Sequence, residues 1–294
     1  MAYQERTIES ADGRVLQVAT MGDPSRPPVF FHHGTPGSAS LVRTIEEIAT
    51  KGDLYLVTMS RAGYGTSTRQ PGRTVAAAVP DTRTVLDALG LDRYAVVGWS
   101  GGGPHALACA ALDAPRCIAA WSLAGVAPFN SDFDWTDGMG PENIEEMELA
   151  VKGGPEYEAH MEMIGTAFGD ATAENVIDLF GGLLSDPDKE TLAPLAPREL
   201  FVDSLRQGFV NGWRGFYDDD RAMMGDWGFE PSAITIPVSV WFGDQDLMVP
   251  PTHAQWLLRA IPDSVGHHYG EEGHLSIIAN HFDELAAEIK KAFA

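Results

Sequence analysis

The sequence is poor in cysteine and in long apolar runs, and each shortage excludes a class of protein. Its 294 residues include two cysteines, Cys109 and Cys117, too few for the disulfide framework of a small secreted domain. No apolar run approaches the roughly 18 residues of a membrane span. Residues 1–10 lack the basic and apolar segments of a secretory signal. We therefore expect a cytoplasmic protein whose thiols are buried.

Positive charge is also scarce, because 20 Lys and Arg residues face 42 Asp and Glu residues, giving a formal net charge of −22 at pH 7. Such a surface repels nucleic-acid phosphates and anionic lipid headgroups at long range. We therefore expect a small-molecule substrate, with no nucleic acid and no membrane as partner. Either a monomer or a homodimer fits this composition.

Short apolar runs alternate with helical segments along most of the chain. Residues 28–32 and 54–59 are continuous apolar runs, typical of strands buried on both faces of a parallel sheet, and a helical pattern separates them. The same alternation returns over residues 94–123, and an Asp12-Gly13 turn predicts a hairpin over residues 3–20. Repeated units of this kind predict an α/β fold with a mostly parallel, doubly wound sheet.

The character of the sequence changes between residues 129 and 227, where no β-branched strand run occurs. Glycines and prolines divide this segment into several short predicted helices, and the strand pattern returns at about residue 237. We interpret residues 1–128 and 228–294 as one α/β core domain. Residues 129–227 are then a helical insertion between two strands of its sheet.

The strongest local signal is Gly98-Trp99-Ser100-Gly101-Gly102, between a predicted strand and a predicted helix. A serine hydroxyl becomes an accessible nucleophile on a tight, strained turn whose flanking residues are small. The G-x-S-x-G motif alone arises by chance in glycine-rich chains. Its place before a helix, whose N-terminal amides stabilise negative charge, adds to the signal. Ser100 is therefore the candidate nucleophile.

Together these features resemble the α/β-hydrolase family over almost the whole chain, and that family orders its triad as serine, acid, histidine. Gly243-Asp244-Gln245-Asp246 follows a predicted strand and resembles the family's acid loop, in which Asp246 matches the acid. Asp244 is the alternative, since either aspartate could instead cap a helix. His274 follows the last predicted strand, where the family keeps its catalytic histidine. The resemblance implies a triad of Ser100, Asp246 and His274.

A second motif, His32-His33-Gly34-Thr35-Pro36-Gly37, resembles the family's His-Gly-x-Pro loop. By that match, the backbone amides of Thr35 and Gly101 form the oxyanion hole, while His33 braces the turn by hydrogen bonding. Residues 60–67 resemble another turn of the family and are expected to be structural. The sequence shows no metal-ligand spacing, phosphate loop or dinucleotide fingerprint. We therefore expect no metal and no cofactor.

The resemblance implies that the insertion folds as a lid over the triad and that its aromatic and methionine side chains form the far wall of a pocket. We predict substrate contacts from Trp99, Phe129, Trp213 and Met248. The insertion also carries a run of glutamates: Glu142, Glu145, Glu146, Glu148, Glu156, Glu158 and Glu162. Such a run is usually a solvated helix face. The alternative is a site for a substrate amine, as in the proline iminopeptidases that the chain resembles.

These observations favour a serine hydrolase that cleaves a carboxylic ester of a small, largely apolar substrate through an acyl-enzyme. An iminopeptidase-like aminopeptidase is one alternative. A hydrolase of C–C bonds and a cofactor-free perhydrolase could use the same triad. A non-catalytic ligand receptor on the same fold is the alternative from another class, since a fold does not determine a function.

Overall fold

The computed structural model describes residues 3–294 of the chain. Its strands are β1 (Tyr3–Glu9), β2 (Val15–Met21), β3 (Pro28–His32), β4 (Tyr55–Met59), β5 (Tyr94–Trp99), β6 (Cys117–Leu123), β7 (Val238–Gly243) and β8 (Val265–Tyr269). Its α-helices are α1 (Glu46–Gly52), α2 (Ala78–Ala88), α3 (Gly102–Leu112), α4 (Pro141–Lys152), α5 (Gly154–Gly169), α6 (Val176–Phe180), α7 (Asp186–Leu192), α8 (Leu195–Gly208), α9 (Arg214–Met224), α10 (Pro251–Ala260), α11 (Ser276–Ala279) and α12 (Phe282–Ala292).

Within residues 3–294 the strands form one sheet in the order β1-β2-β4-β3-β5-β6-β7-β8. β1 and β2 pair antiparallel, as the predicted hairpin requires, and β2 is also antiparallel to β4. The remaining neighbours pair in parallel. The mostly parallel sheet expected from the sequence is confirmed. The carboxyl ends of β3, β5, β7 and β8 therefore meet at one edge, where ligands of such sheets bind.

Helices cover both faces of the sheet because successive side chains of a strand point to opposite sides. In β5, Ala95 and Val97 join one apolar cluster, whereas Val96 between them joins another. The first cluster receives side chains from α1 and α12, and the second receives them from α2, α3 and α10. The sheet is therefore doubly wound, as predicted.

Two stretches with helical periodicity in the sequence, residues 38–51 and 74–89, are interrupted in the structure. The pattern over residues 38–51 forms a 3₁₀ turn, Ala39–Arg43, followed by α1, and the pattern over residues 74–89 forms the turn Val75–Ala77 followed by α2. Pro80 explains the second case. A proline is tolerated only in the first turn of a helix, where its missing N–H has no intrahelical partner, so α2 begins just before it.

The helical insertion, residues 129–227, leaves the sheet after β6 and returns before β7. It contains α4 to α9, and no strand lies in it, all of its residues being described. Its buried side chains, such as Trp135, Met161 and Phe216, belong to the same apolar cluster as one face of the sheet. Among residues 3–294, no helix combines the length and the apolarity that crossing a bilayer requires.

Candidate active site

Ser100 lies on the turn between β5 and α3 with a φ of 56°, a left-handed conformation that costs energy for a residue with a side chain. The backbone N–H of Ser100 donates to the carbonyl of Leu123 at 2.9 Å, which helps to hold this turn. The flanking glycines are needed because a Cβ on Gly98 would collide with the carbonyl of Gly102, and one on Gly102 with the carbonyl of His32. The turn presents the serine side chain to a cavity.

His274 and Asp246 form a buried pair at the same edge of the sheet. The imidazole Nδ1 lies 2.8 Å from Asp246 Oδ2, and the two residues are only 1% and 3% exposed. Asp246 Oδ1 accepts the backbone N–H groups of Met248 and Val249, each at 2.8 Å, which fixes the carboxylate. Burial by itself lowers the pKa of His274, but the charge and hydrogen bond of Asp246, with Asp188 adding to them, raise that pKa above its usual 6.5.

Trp99 links the serine turn to His274. Its indole Nε1 donates to the carbonyl oxygen of His274 at 3.1 Å, and the two ring centroids are 5.3 Å apart. Among residues 3–294, no hydrogen bond joins Ser100 Oγ to His274, whose ring bonds Asp246 through Nδ1. The ring Nε2 is therefore the nitrogen left to accept a proton. Catalytic hydrogen bonds are often long before substrate binds and tighten in the complex.

Asp244, the alternative acid, has a different partner. Its Oδ1 lies 2.7 Å from His268 Nε2, and both side chains are half-exposed. Asp246 is the aspartate that contacts His274. The structure thus pairs the histidine with the acid that the family pattern matches.

Thr35 and Gly101 lie side by side at the cavity next to Ser100. The approach is so close that a Cβ on Gly101 would collide with the side chain of Thr35. Within the described part of the chain, the backbone N–H groups of these two residues donate no hydrogen bond. Both amides are therefore available to a ligand beside the serine.

A buried ion network, which we define as Asp219, Arg61 and Arg73, holds the loop that carries Thr35. Asp219 lies on α9 and is fully buried. Its Oδ2 accepts a hydrogen bond from Arg61 Nε at 3.0 Å, and its Oδ1 lies 2.6 Å from Arg73 Nη1. Arg61 also donates to the carbonyl of Gly34 at 3.0 Å and to Thr35 Oγ1 at 2.9 Å. Burial alone raises the pKa of Asp219, but the two arginines outweigh it and hold that pKa well below its usual value.

His33 completes the support of this loop. Its Nε2 accepts the backbone N–H of Arg61 at 3.1 Å, so Nδ1 carries the proton that reaches the carbonyl of Gly34 at 2.7 Å. Burial, followed by the charge of Arg61, lowers the pKa of His33 well below its usual value. The ring is therefore neutral and braces the turn, which is the role that the sequence suggested.

Sequence analysis overlooked the charges of this network, and one signal for them was present. α9 contains three consecutive aspartates, Asp218, Asp219 and Asp220. Successive residues of an α-helix are 100° apart, so three of them span about 200° and cannot all point to solvent in a helix that packs on a core. All three are at least 97% buried.

The cavity beside Ser100 has a volume of about 270 Å³ and a mostly apolar lining. Of the four predicted substrate contacts, Met248 lines it. Its other apolar walls come mainly from the insertion and include Trp135, Met139, Phe168, Phe180, Phe216 and Met223.

The other three predicted contacts, Trp99, Phe129 and Trp213, do not line this cavity. Trp99 instead lines a separate cavity of about 380 Å³. The ring of Phe129 packs against Trp135, which takes the lining position, with centroids 5.5 Å apart. The ring of Trp213 packs edge-to-face on Tyr217. The rings of Phe129 and Trp213 thus pack against neighbouring aromatic side chains, on surfaces where substrate contact was predicted.

One end of the cavity is polar, because Glu146 and Asp220 both line it. Glu146 is 8% exposed, and burial raises its pKa to about 8. Asp220 accepts a hydrogen bond from the Tyr157 hydroxyl at 2.8 Å, and burial, then the charge of Glu146, raises its pKa well above the usual value. Glu146 is therefore an exception to the solvated face that the glutamate run predicted.

A candidate metal-binding group lies on β8 and α12, outside the cavity lining. Within residues 3–294, His267, Glu284 and Glu288 are the one group of His, Cys, Asp and Glu ligand atoms that lie within 4.8 Å of one another. His267 Nε2 is 3.1 Å from Glu288 Oε1, and Glu288 Oε2 accepts from Trp121 Nε1 at 2.8 Å. Trp121 therefore holds Glu288 by a hydrogen bond, and His267 Nε2 lies close to Glu288 without forming one.

Comparisons with known proteins agree with this architecture. A family model described as alpha/beta hydrolase fold matches residues 27–143. No curated protein matches the sequence. An alpha/beta hydrolase fold protein from Chitinophaga pinensis is 16% identical with a TM-score of 0.70, over 99% of this chain and 98% of that one.

Two further solved structures are similar over nearly their whole length. An enol-lactonase from Burkholderia xenovorans is 19% identical with a TM-score of 0.68, over 99% of both chains. An esterase from Exiguobacterium antarcticum is 18% identical with the same TM-score, over 99% of this chain and 100% of that one. At such identities the likeness establishes a shared fold.

Proposed function

We propose that this chain, whose fold is that of the α/β hydrolases, is a serine hydrolase that cleaves a carboxylic ester, or a related acyl bond, of a small and largely apolar substrate. One observation carries the proposal: Ser100 sits on a left-handed turn at the cavity, while His274 and Asp246 form a buried pair at the same edge of the sheet. Nucleophile, acid and base follow one another along the chain in the order that is typical of this fold.

The roles follow from this arrangement. His274 Nε2 takes the proton of Ser100 Oγ as the oxygen attacks the substrate carbonyl, and Asp246 stabilises the imidazolium that forms. The negative oxygen of the tetrahedral intermediate accepts the backbone N–H groups of Thr35 and Gly101, each worth about 3 to 4 kcal/mol in the transition state. The histidine then protonates the leaving alcohol. Water next attacks the acyl-enzyme while His274 accepts its proton, and the acid leaves as that proton returns to Ser100 Oγ.

The cavity supports a substrate that is apolar for most of its length. Its aromatic and methionine walls would bury an acyl or alcohol group, and the helical insertion would act as a lid that excludes water from the serine. Two of the similar structures are named an esterase and an enol-lactonase, which agrees with acyl transfer to water. We place the activity in the cytoplasm, since Cys109 and Cys117 are buried free thiols.

A fluorophosphonate probe tests the nucleophile directly. We expect it to label Ser100 in the folded protein, and we expect Ser100→Ala to abolish labelling and lower turnover of a short p-nitrophenyl ester by about 10⁵- to 10⁶-fold. Ser25→Ala is the control, because Ser25 is exposed and bonds only Asp23.

Wild-type protein that resists the probe would contradict the proposal and favour a ligand receptor. Hydrolysis that survives Ser100→Ala would contradict it as well. A panel of esters, lactones, amides and β-diketones then identifies the bond that is cleaved.

The polar end of the cavity favours a second candidate, an aminopeptidase-like hydrolase. Within the described residues Glu146 has no hydrogen-bond or ion-pair partner, and it faces the cavity together with Asp220. A protonated substrate amine held there would place a positive charge beside the two buried carboxyl groups and favour their ionised forms.

The variant Glu146→Gln distinguishes the ester hydrolase from the aminopeptidase. If an amine binds there, Glu146→Gln lowers kcat/KM for a proline anilide by about 10- to 100-fold, the cost of losing a hydrogen bond to a charged group. An amine-free ester of the same shape should be unaffected. Glu148→Gln, on the exposed face of the same helix, is the control. Proline-anilide turnover that persists in Glu146→Gln would show that Glu146 does not hold the amine, and a wild type that does not cleave the anilide would argue against the aminopeptidase.

A further inference from the structure

One buried carboxylate of the helical insertion contacts the backbone of residues 273–276, which we call the histidine loop. Asp188 lies on α7 and is fully buried. Its Oδ2 accepts the backbone N–H of His274 at 3.1 Å, and its Oδ1 accepts those of Leu275 at 2.7 Å and Ser276 at 3.1 Å. From these contacts we infer that Asp188 is a positioning residue for His274, an inference that rests on the proposed function.

The carboxylate divides its hydrogen bonds between this contact and the N-terminus of its own helix. Besides the three loop amides, Oδ2 accepts the Ser185 hydroxyl at 2.8 Å and the Ser185 backbone N–H at 3.4 Å, which form a capping box at the N-terminus of α7. A carboxylate offers about four lone-pair sites, so Asp188 is saturated. Within residues 3–294 it forms no ion pair with a Lys or Arg side chain, in contrast to its neighbour Asp186, which lies 3.9 Å from Lys189. The hydrogen-bond donors to this carboxylate are therefore the three loop amides and the two groups of Ser185.

The loop is built to receive this carboxylate. A Cβ on Gly273 would collide with Ser185 Oγ and with the carboxyl group of Asp188, so the residue before His274 must be glycine for the contact to form. The backbone N–H of Gly273 donates to Ser276 Oγ at 2.8 Å. Four consecutive backbone amides, from residue 273 to residue 276, are thus fixed.

Two carboxylates consequently determine where the imidazole lies. Asp246, from the core, bonds the ring at Nδ1, and Asp188, from the insertion, bonds the backbone that carries the ring. A displacement of about 1 Å in a reacting group can cost about 100-fold in rate. The insertion therefore contributes to catalysis through the position of His274, in addition to lining the cavity.

Asp188→Asn tests the inference, because the amide keeps the size of the side chain but turns a donor toward at least one loop N–H. On an ester that the wild type cleaves, we expect kcat to fall about 10- to 100-fold with KM nearly unchanged. We also expect the acidic limb of the kcat/KM profile to move to lower pH, since the Asp188 charge contributes to the raised pKa of His274 in the free protein. Asp186→Asn, on the same helix with its side chain 93% exposed, is the matched control.

A merely structural role predicts a different result: a lower melting temperature with an unchanged kcat and an unchanged acidic limb in the folded protein. That result, or an equal loss in Asp186→Asn, would overturn the inference. If Asp188→Asn does not fold, Ser185→Ala replaces it, because it removes one donor to Oδ2. A reduced kcat at constant KM then supports the inference, and an unchanged kcat overturns it.

An NMR titration of the His274 ring separates this inference from the proposed function. It needs no turnover, so it can be carried out even on a wild type that cleaves no ester. A lower His274 pKa in Asp188→Asn than in wild type supports the contact with Asp188, whether or not the chain is a hydrolase. An identical pKa in the two proteins overturns it.

Discussion

Two regions supply the polar groups around Ser100: the carboxyl edge of the sheet and the helical insertion. The sheet edge supplies Ser100, Asp246 and His274 from loops that directly follow strands, so the order of the strands alone brings them to one side of the molecule. The insertion supplies Asp188 and Asp219 from the middle of the chain, and each is fully buried against a loop of the core.

The two sets of groups differ in what they contact. The sheet-edge residues face the cavity or one another. The insertion carboxylates instead accept hydrogen bonds from backbone amides and arginine side chains of the loops that carry the sheet-edge residues and Thr35. Groups of the first set are therefore expected to affect the rate of reaction most, and those of the second set to affect stability and geometry. The following predictions test that division, starting with the largest effect.

Asp246→Asn should have the largest effect of the variants that keep Ser100. An amide at this position no longer stabilises the imidazolium and favours the wrong tautomer of His274, so we expect kcat to fall by about 10⁴-fold with little loss of stability. Steady-state kinetics on an ester substrate and thermal unfolding measure the two quantities.

Asp244→Asn is the matched control, because Asp244 bonds the half-exposed His268 instead of His274. We expect its kcat to stay within about twofold of wild type, as for a surface substitution away from the site. A larger loss in Asp244→Asn than in Asp246→Asn would reassign the acid.

Asp219→Asn should affect stability more than any single charge removed from the surface. It leaves Arg61 and Arg73 buried beside a neutral group, and breaking a buried ion pair in this way costs about 3 to 5 kcal/mol of unfolding free energy. Asp203→Asn is the comparison, since the Arg43–Asp203 pair also joins insertion and core but is about 40% exposed on both sides. Exposed pairs contribute about 0 to 1 kcal/mol. Equal losses in denaturant unfolding would remove the distinction between the two pairs.

The stabilisation from Asp219 also has a defined pH range. Its pKa in the folded protein is depressed below the usual 3.8, so the contribution is fully present above 3.8 and disappears as the pH falls toward the folded value. The difference in stability between wild type and Asp219→Asn should therefore be constant near neutral pH and shrink in strong acid. A difference that grows as the pH falls below 3.8 would contradict this assignment.

The pH dependence of kcat/KM, which reports groups of the free enzyme, should depend on the sheet-edge pair. His274 must be neutral to accept the serine proton, and its pKa lies above 6.5, so activity should fall as the pH drops through a midpoint above that value. Asp246→Asn removes the charge that raises this pKa and should move the midpoint to lower pH. A pH–rate profile of both proteins measures the shift, and an unchanged midpoint would contradict the pairing of His274 with Asp246.

The same division explains which features were predictable from the sequence. Ser100 was predicted from a glycine-flanked turn, and His274 from its place after the last strand, where the family that the sequence resembles keeps its histidine; neither inference needs knowledge of tertiary contacts. The partners of Asp188 and Asp219 lie 86 and 158 residues away, and no local pattern identifies them. Three of the four predicted substrate contacts do not line the cavity for a related reason, because packing among Phe129, Trp135 and their neighbours decides which ring faces it.

Trp99→Phe should have the smallest effect on rate. The ring still fills its buried place, but the hydrogen bond from Nε1 to the His274 carbonyl is lost, at a net cost of about 0.5 to 1.5 kcal/mol. Trp227→Phe loses a similar bond, from Nε1 to the carbonyl of Met223 at 2.9 Å, at the end of the insertion. We expect comparable losses of unfolding free energy from the two variants but a reduced kcat, of about tenfold or less, only from Trp99→Phe. If both variants lower kcat alike, the link from Trp99 to His274 is structural, and the imidazole is positioned by its two carboxylates alone.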